Sequence, residues 1–84
     1  MNYDTQRDIL KLICAADDRY GPFASTHEAL GVASEEWDEL RAAIHANDMR
    51  AIRHECLDLA AVLIRLADQL EAPDNAAMVQ RSVK

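Results

Sequence analysis

The chain contains few of the residues that break helices, cross-link chains or supply aromatic packing. Its 84 residues include two glycines, two prolines, two cysteines and four aromatic residues. So few glycines and prolines leave little material for β-turns, so the sequence predicts one small all-α domain over residues 1–84. Two cysteines are too few for a disulfide framework. Cys14 and Cys56 both fall in apolar helical patterns, which predicts two buried free thiols.

Excess positive charge and long apolar runs are also lacking. Nine lysines and arginines stand against fifteen acidic residues, for a formal net charge of −6. No basic patch is visible, which argues against a nucleic-acid partner. The longest apolar run, residues 57–66, is interrupted by Asp58 and Arg65 and is too short to cross a bilayer. No signal peptide is recognisable, so we expect a cytoplasmic protein with no membrane partner.

The apolar pattern predicts three long helices and a short fourth one. They are expected over residues 5–19, 26–46, 49–71 and 74–82. Short polar side chains that can accept hydrogen bonds from free backbone N–H groups mark the helix starts. These are Asp4 or Thr5 for the first helix, Ser25 with Glu28 as a capping box for the second, and Asp48 for the third.

The second and third helices each carry an apolar stripe. The predicted stripes are Ala33, Trp37, Leu40 and Ile44 on the second helix, and Ile52, Leu59, Val62, Leu63 and Leu66 on the third. Trp37 is expected in the core or in a subunit interface. Because half of the residues are hydrophobic, the apolar surface exceeds what one small bundle covers easily. We therefore expect a helical bundle with a central antiparallel helix pair that assembles into a homodimer or homotetramer.

Two pairs of carboxylates lie beside these stripes, Glu36 with Glu39 and Glu55 with Asp58. Residues three apart on a helix are separated by ~60° and share a face. A turn at residues 47–48 makes the two helices antiparallel neighbours, which brings Glu39 level with Glu55 and Glu36 level with Asp58. Solvated charges on amphipathic helices are one interpretation. The matching placement favours another, a site for a hard divalent cation such as Mg²⁺.

The motif Glu35-Glu36-x-x-Glu39 followed by Glu55-x-x-Asp58 resembles the all-α nucleoside triphosphate pyrophosphohydrolases, the MazG-like group. Residues 20–31 resemble the lead-in of small phage and bacterial members, and the resemblance covers about residues 20–70. It implies Mg²⁺-dependent hydrolysis of a nucleoside or deoxynucleoside triphosphate to monophosphate and pyrophosphate, with Mn²⁺ as a substitute ion. The implied metal ligands are Glu36, Glu39, Glu55 and Asp58. Glu35 is assigned a lesser role, as a ligand of a second metal, a water-orienting base or a surface charge.

Residues for contact with the substrate are less clearly marked. Arg50, Arg53 and Arg65 are candidates for the phosphate groups, although a surface role is favoured for each. Phe23 is a candidate for contact with the base, and His27 is favoured as a capping or packing residue. Two other functions stay open: a helical module whose apolar stripes bind a partner protein, and a protein that binds nucleotide or metal without turnover.

Overall fold

Three α-helices make up the part of the chain that the structure describes. In this computed structural model residues 1–71 are described, with helices at Tyr3–Tyr20 (α1), Thr26–His45 (α2) and Met49–Glu71 (α3). These residues contain no strand, so the predicted all-α fold is confirmed. The fourth helix predicted over residues 74–82 lies outside the described part. No described helix is long and apolar enough to cross a membrane.

Helix α1 begins two residues earlier than the sequence predicts. Asn2 has an extended backbone, and its Oδ1 accepts a hydrogen bond from the Thr5 N–H at 2.8 Å. Asn2 is therefore the N-cap, and the prediction of Asp4 or Thr5 is wrong. Asp4 instead lies in the first turn, where a carboxylate interacts favourably with the helix dipole. The helix ends at Gly21, which has a φ of +69° and donates to the Asp17 carbonyl at 3.0 Å.

The predicted N-caps of α2 and α3 are confirmed, but the capping box of α2 is not complete, because Glu28 bonds to the backbone N–H of the residue before the N-cap. Ser25 Oγ accepts from the Glu28 N–H at 3.1 Å, and Glu28 Oε1 accepts from the Ala24 N–H at 3.1 Å. Asp48 Oδ1 accepts from the Ala51 N–H at 3.1 Å and starts α3. Each bond satisfies a backbone donor that has no partner within its own helix, so both helices begin at defined residues.

Helix α3 is the helix against which the other two pack, and α1 has few direct contacts with α2. The largest buried cluster consists of Phe23, Ala29 and Val62, with Val32, Ala33 and Leu66 packed around it. Polar contacts add to this packing, since Arg53 Nη2 of α3 donates to Asp8 Oδ2 of α1 at 3.0 Å. The position of α3 therefore sets the positions of both neighbours.

The buried faces of α2 and α3 are rotated relative to the predicted apolar stripes. On α2, Leu40 is buried as predicted, but Trp37 and Ile44 are 49% and 48% exposed, and the small residues Ala29 and Ala43 are buried instead. The residues of α3 that are buried outside its predicted stripe are Leu57, Ala61 and Arg65. The physical reason is that α3 has two partners, so it buries a second face against α1.

Both cysteines lie at the surface as free thiols. The prediction that Cys14 and Cys56 are unpaired is confirmed, and the prediction that they are buried is wrong. Helix α1 buries only a narrow face around Ile9, which leaves Cys14 outside the contact. Cys56 precedes the buried Leu57 but points ~100° away from it around the helix.

Candidate functional site

The carboxylates named by the two sequence motifs come together in the structure. Ligand oxygens of Glu36, Glu39 and Glu55 lie within 4.8 Å of one another, and the same holds for ligand atoms of His54, Glu55 and Asp58. Glu55 belongs to both groups and so connects the α2 pair to the α3 pair. We call these four acids the carboxylate cluster.

His54 is a further neighbour of this cluster that sequence reasoning did not single out. Its side chain is 65% exposed, and its Nε2 lies 3.2 Å from Asp58 Oδ2. The sequence signal for this contact is the four-residue spacing from His54 to Asp58, because residues four apart on a helix are surface neighbours. His54 therefore adds one nitrogen atom, as a possible metal ligand, at the edge of a cluster that otherwise offers only carboxylate oxygens.

Glu36 has the most perturbed acidity of the cluster. Its burial, and after that the negative charges of Glu39, Asp58 and Glu55, raise its pKa from the usual 4.5 to about 7. Removal from water and nearby like charges both disfavour the ionised carboxylate. At neutral pH this carboxyl group is therefore divided between its protonated and ionised forms.

The pKa of Glu55 is raised for related reasons. Burial of its carboxyl group has the largest effect, followed by a hydrogen bond with Glu39 and by the charges of Glu39 and Asp58, while the electrostatic influence of His54 lowers the pKa. The two pairs are thus one electrostatic unit rather than two separate surface pairs.

Two oxygens of the cluster lack a hydrogen-bond partner within residues 1–71. They are Glu36 Oε2 and Glu55 Oε2, and both are buried. A buried polar atom without a partner costs roughly 1–3 kcal/mol, and more when it is charged. Carboxylate oxygens are ligands that Mg²⁺ prefers, so the donor set and its two unpartnered oxygens fit a hard divalent cation.

A depression of about 610 Å³ opens beside the cluster. Glu35 and Glu36 of α2 form part of its wall, and the segment over residues 20–23 forms another part. Glu35 is exposed and belongs to neither group of close ligand atoms. It lines the depression next to Glu36, although its helical angle predicts that it points away from the carboxylates.

A second, smaller depression of about 290 Å³ lies on the α1 side of the cluster. Glu36 and Asp58 reach it from α2 and α3, and Arg19 and Tyr20 reach it from the end of α1. Sequence reasoning did not single out Arg19 or Tyr20 as functional residues. The only sequence feature that could have identified them is their position directly before the loop. Helix α1 has no carboxylate motif like those of α2 and α3, so nothing else in its sequence places it beside the site.

The three arginines considered for phosphate contact occupy different environments. Arg50 and Arg53 are exposed. Arg65 is only 8% exposed, and it donates from Nε to Asp17 Oδ1 at 2.9 Å and from Nη2 to the Gly21 carbonyl at 2.8 Å. The expected surface role of Arg65 is therefore wrong, because this guanidinium is buried between α1, the loop and α3.

The two remaining candidates for substrate contact also differ in burial. Phe23 is 7% exposed and belongs to the core, although it also lines the larger depression. His27 is exposed in the first turn of α2. Of the two, only Phe23 borders a space beside the carboxylate cluster.

Comparisons with known proteins give no family assignment, since no family model, curated protein or solved structure matches this chain. The MazG-like resemblance therefore stays a prediction. It rests on the two acidic motifs and on the segment that precedes them.

Proposed function

We propose that this protein is a Mg²⁺-dependent nucleoside triphosphate pyrophosphohydrolase of the MazG-like kind. The observation that carries the proposal is the carboxylate cluster with its two buried, unpartnered oxygens on Glu36 and Glu55. Surface acids on amphipathic helices would be solvated and would have ordinary acidity. The raised pKa values of these two carboxyl groups favour a site that gains stability when a cation enters it.

Each carboxylate has a role in this proposal. Glu36, Glu39, Glu55 and Asp58 hold Mg²⁺, or Mn²⁺ in its place. When bound at these residues, the ion would supply positive charge for the phosphate oxygens and would lower the pKa of a coordinated water. Glu35, on the wall of the larger depression, orients a water molecule for attack. Hydrolysis of the bond between the α- and β-phosphoryl groups then gives a nucleoside monophosphate and pyrophosphate.

The proposal includes antiparallel packing of α2 and α3. The two helices are joined at one end by the short segment at residues 46–48. At the other end Gln69, near the end of α3, accepts from the Phe23 N–H at 2.9 Å and donates to the Phe23 carbonyl at 2.8 Å, just before α2 begins. Contacts at both ends support the register that brings the two acidic motifs level with each other.

Self-association is also part of the proposal, and an exposed apolar surface supports it. We define the apolar ridge as the exposed large residues Leu30, Trp37 and Ile44 of α2, and Met49, Leu63 and Leu70 of α3. Successive members on one helix are separated by seven or fourteen residues, which keeps them on one face with a drift of ~20° per seven residues. Large contiguous apolar surfaces of soluble proteins usually mark interaction sites, so we propose a homodimer or homotetramer.

The same apolar ridge favours a second function, that of a helical module that binds a different protein and has no catalysis. Thermal unfolding separates the two functions, because only a metal site predicts a higher melting temperature in millimolar Mg²⁺ than in chelator. A protein that binds metal and nucleotide without turnover would show this shift but would release no pyrophosphate.

A screen of triphosphates for pyrophosphate release tests the proposal directly. We expect monophosphate and pyrophosphate as products, with Mg²⁺ required. Asp58→Asn keeps the shape of the side chain and removes its charge, so it should lower kcat about 100-fold or more with a smaller effect on KM. Asp68→Asn is the matched control on an exposed position of the same helix. Orthophosphate as the product, or equal turnover by Asp58→Asn and the parent, would contradict the mechanism.

A further inference from the structure

Two side chains of α3 make partly buried hydrogen bonds to the end of α1 and to the loop that follows it. Arg65 bonds to Asp17 and to the Gly21 carbonyl, as described above, and its guanidinium carbon lies 4.7 Å from the centre of the Phe23 ring. Gln69, one helical turn further along α3, bonds to both the backbone N–H and the carbonyl of Phe23. Residues 21 and 23 are therefore fixed to one face of α3 by side chains from two successive turns.

The geometry of Arg65 suits this task in a way that a lysine would not. A guanidinium is a planar group whose donors point in fixed directions, so one side chain binds an acid of α1, a carbonyl of the loop and an aromatic face at the same time. A lysine ammonium is a single point charge on a flexible stem. The charge of Arg65 is already balanced by Asp17, so its bonds hold the protein together rather than being directed at an anion in solution.

The segment that Arg65 holds is one wall of the 610 Å³ depression. Tyr20, Pro22 and Phe23 supply an apolar and aromatic surface, and Glu35 and Glu36 lie on the same depression. Its volume is within the usual range for small-molecule sites, roughly 300–1,000 Å³. An aromatic wall beside a cation-binding carboxylate cluster matches a ligand with a planar, apolar end and a phosphorylated end.

We propose that this depression receives the nucleoside end of the triphosphate, and that Arg65 is a positioning residue that holds the loop wall in place for it. The proposal rests on the function proposed above. Arg65 itself lines this depression, and in the proposal it acts by holding the loop in place rather than by binding the phosphate groups. Weakening its contacts should therefore reduce the affinity for the nucleoside part and leave the binding and hydrolysis of the phosphate chain unchanged.

The test compares Arg65→Lys with the parent at a temperature well below both melting temperatures. Arg41→Lys is the matched control, because Arg41 is an exposed residue of α2 with a long 3.8 Å contact to Asp38. Four quantities are measured for each protein. They are KM and kcat for the triphosphate that the parent hydrolyses fastest, the Kd of its α,β-imido analogue in Mg²⁺, and the inhibition constant of inorganic tripolyphosphate, which has no nucleoside.

We expect Arg65→Lys to raise KM and the analogue Kd about fivefold or more, since a wall that must be ordered on binding weakens affinity. The value of kcat and the inhibition constant of tripolyphosphate should stay within about twofold of the parent. A change in tripolyphosphate inhibition as large as the change in KM would overturn the proposal, because Arg65 would then act on the phosphates. Unchanged KM and Kd would also overturn it.

The analogue separates this inference from the proposed activity. Weaker binding of the analogue to Arg65→Lys, with no turnover by the parent, would support the proposed role of Arg65 in holding the loop wall and would refute the hydrolase function. If the parent binds neither the triphosphate nor the analogue, both proposals fail. If Arg65→Lys does not fold, Gln69→Met removes the two bonds to Phe23 at similar side-chain volume, and the same pattern of results is expected.

Discussion

Replacing Glu36 with glutamine should make the metal-free protein more stable at alkaline pH and should remove its stabilisation by Mg²⁺. The carboxyl pKa is raised from 4.5 to about 7 in the folded protein. Below pH 4.5 this carboxyl group is protonated in both the folded and the unfolded chain. Between pH 4.5 and about 7 the unfolded chain releases this proton while the folded protein retains it, so stability falls over this interval. Above about pH 7 the loss is complete, because the folded protein then carries the unfavourable charge as well.

The size of the effect follows from the same shift. A shift of this size corresponds to about 3 kcal/mol at pH 8, by the relation of ~1.4 kcal/mol per pKa unit. Solvent around the partly buried carboxylates reduces this value, so we expect Glu36→Gln to gain about 1–3 kcal/mol at pH 8 without metal. For a domain of this size each kcal/mol raises the melting temperature by roughly 4–8 °C.

Thermal unfolding followed by circular dichroism gives the readout, at pH 5 and pH 8, with chelator and with millimolar Mg²⁺. The gain in melting temperature should appear at pH 8 with chelator and shrink at pH 5, where Glu36 of the parent is mostly protonated. In Mg²⁺ the order should reverse, because the parent gains stability and the variant has lost a ligand. Glu35→Gln is the matched control, since it removes the same charge from the neighbouring exposed position. A destabilised Glu36→Gln at pH 8 in chelator would refute the electrostatic reasoning.

Two further predictions concern the surface. Sedimentation at micromolar concentration should detect a dimer or tetramer. Leu63→Lys in the apolar ridge should shift the protein toward monomer, whereas Ala42→Lys, on an exposed position outside the ridge, should not. A monomeric parent would contradict the shared interface. A thiol reagent should modify Cys14 of the native protein rapidly, because this residue is exposed. Cys56 lies between Met49 and Leu63 of the apolar ridge at the same seven-residue spacing. Self-association through the ridge should cover it, so its labelling rate should fall as protein concentration rises. A labelling rate independent of concentration would place the interface elsewhere.

Local patterns predicted most of the helical structure, because helix ends and helix period depend on neighbouring residues. Ser25 and Asp48 start α2 and α3 as expected, and the acidic pairs share a face because three residues nearly complete a turn. The pattern could not assign the buried faces correctly. Trp37 is half exposed. Arg65 is buried, since α1 covers a face of α3 that the period alone does not distinguish.

The candidate site likewise has one part that the sequence predicts and one part that it does not. The four acids were predictable because a short turn fixes the register between consecutive helices. The depression beside them was not, because its wall comes from the loop after α1. That loop is held by Arg65 and Gln69, whose partners lie at least 44 residues away. A contact over such a separation leaves no periodic signal in the sequence.

The packing of α1 against α3 has a consequence for the order in which this protein folds. The polar contacts between the two helices join residues 45 and 48 positions apart, whereas α2 and α3 are neighbours along the chain. Contacts with short separation lose less chain entropy when they form, so we expect the α2–α3 contacts to form earlier. During synthesis α1 leaves the ribosome before α3, and its partner surface on α3 follows only after α2 has been made. We therefore expect the carboxylates to come together before the loop wall beside them forms, and the complete depression to be the last part of the site to form.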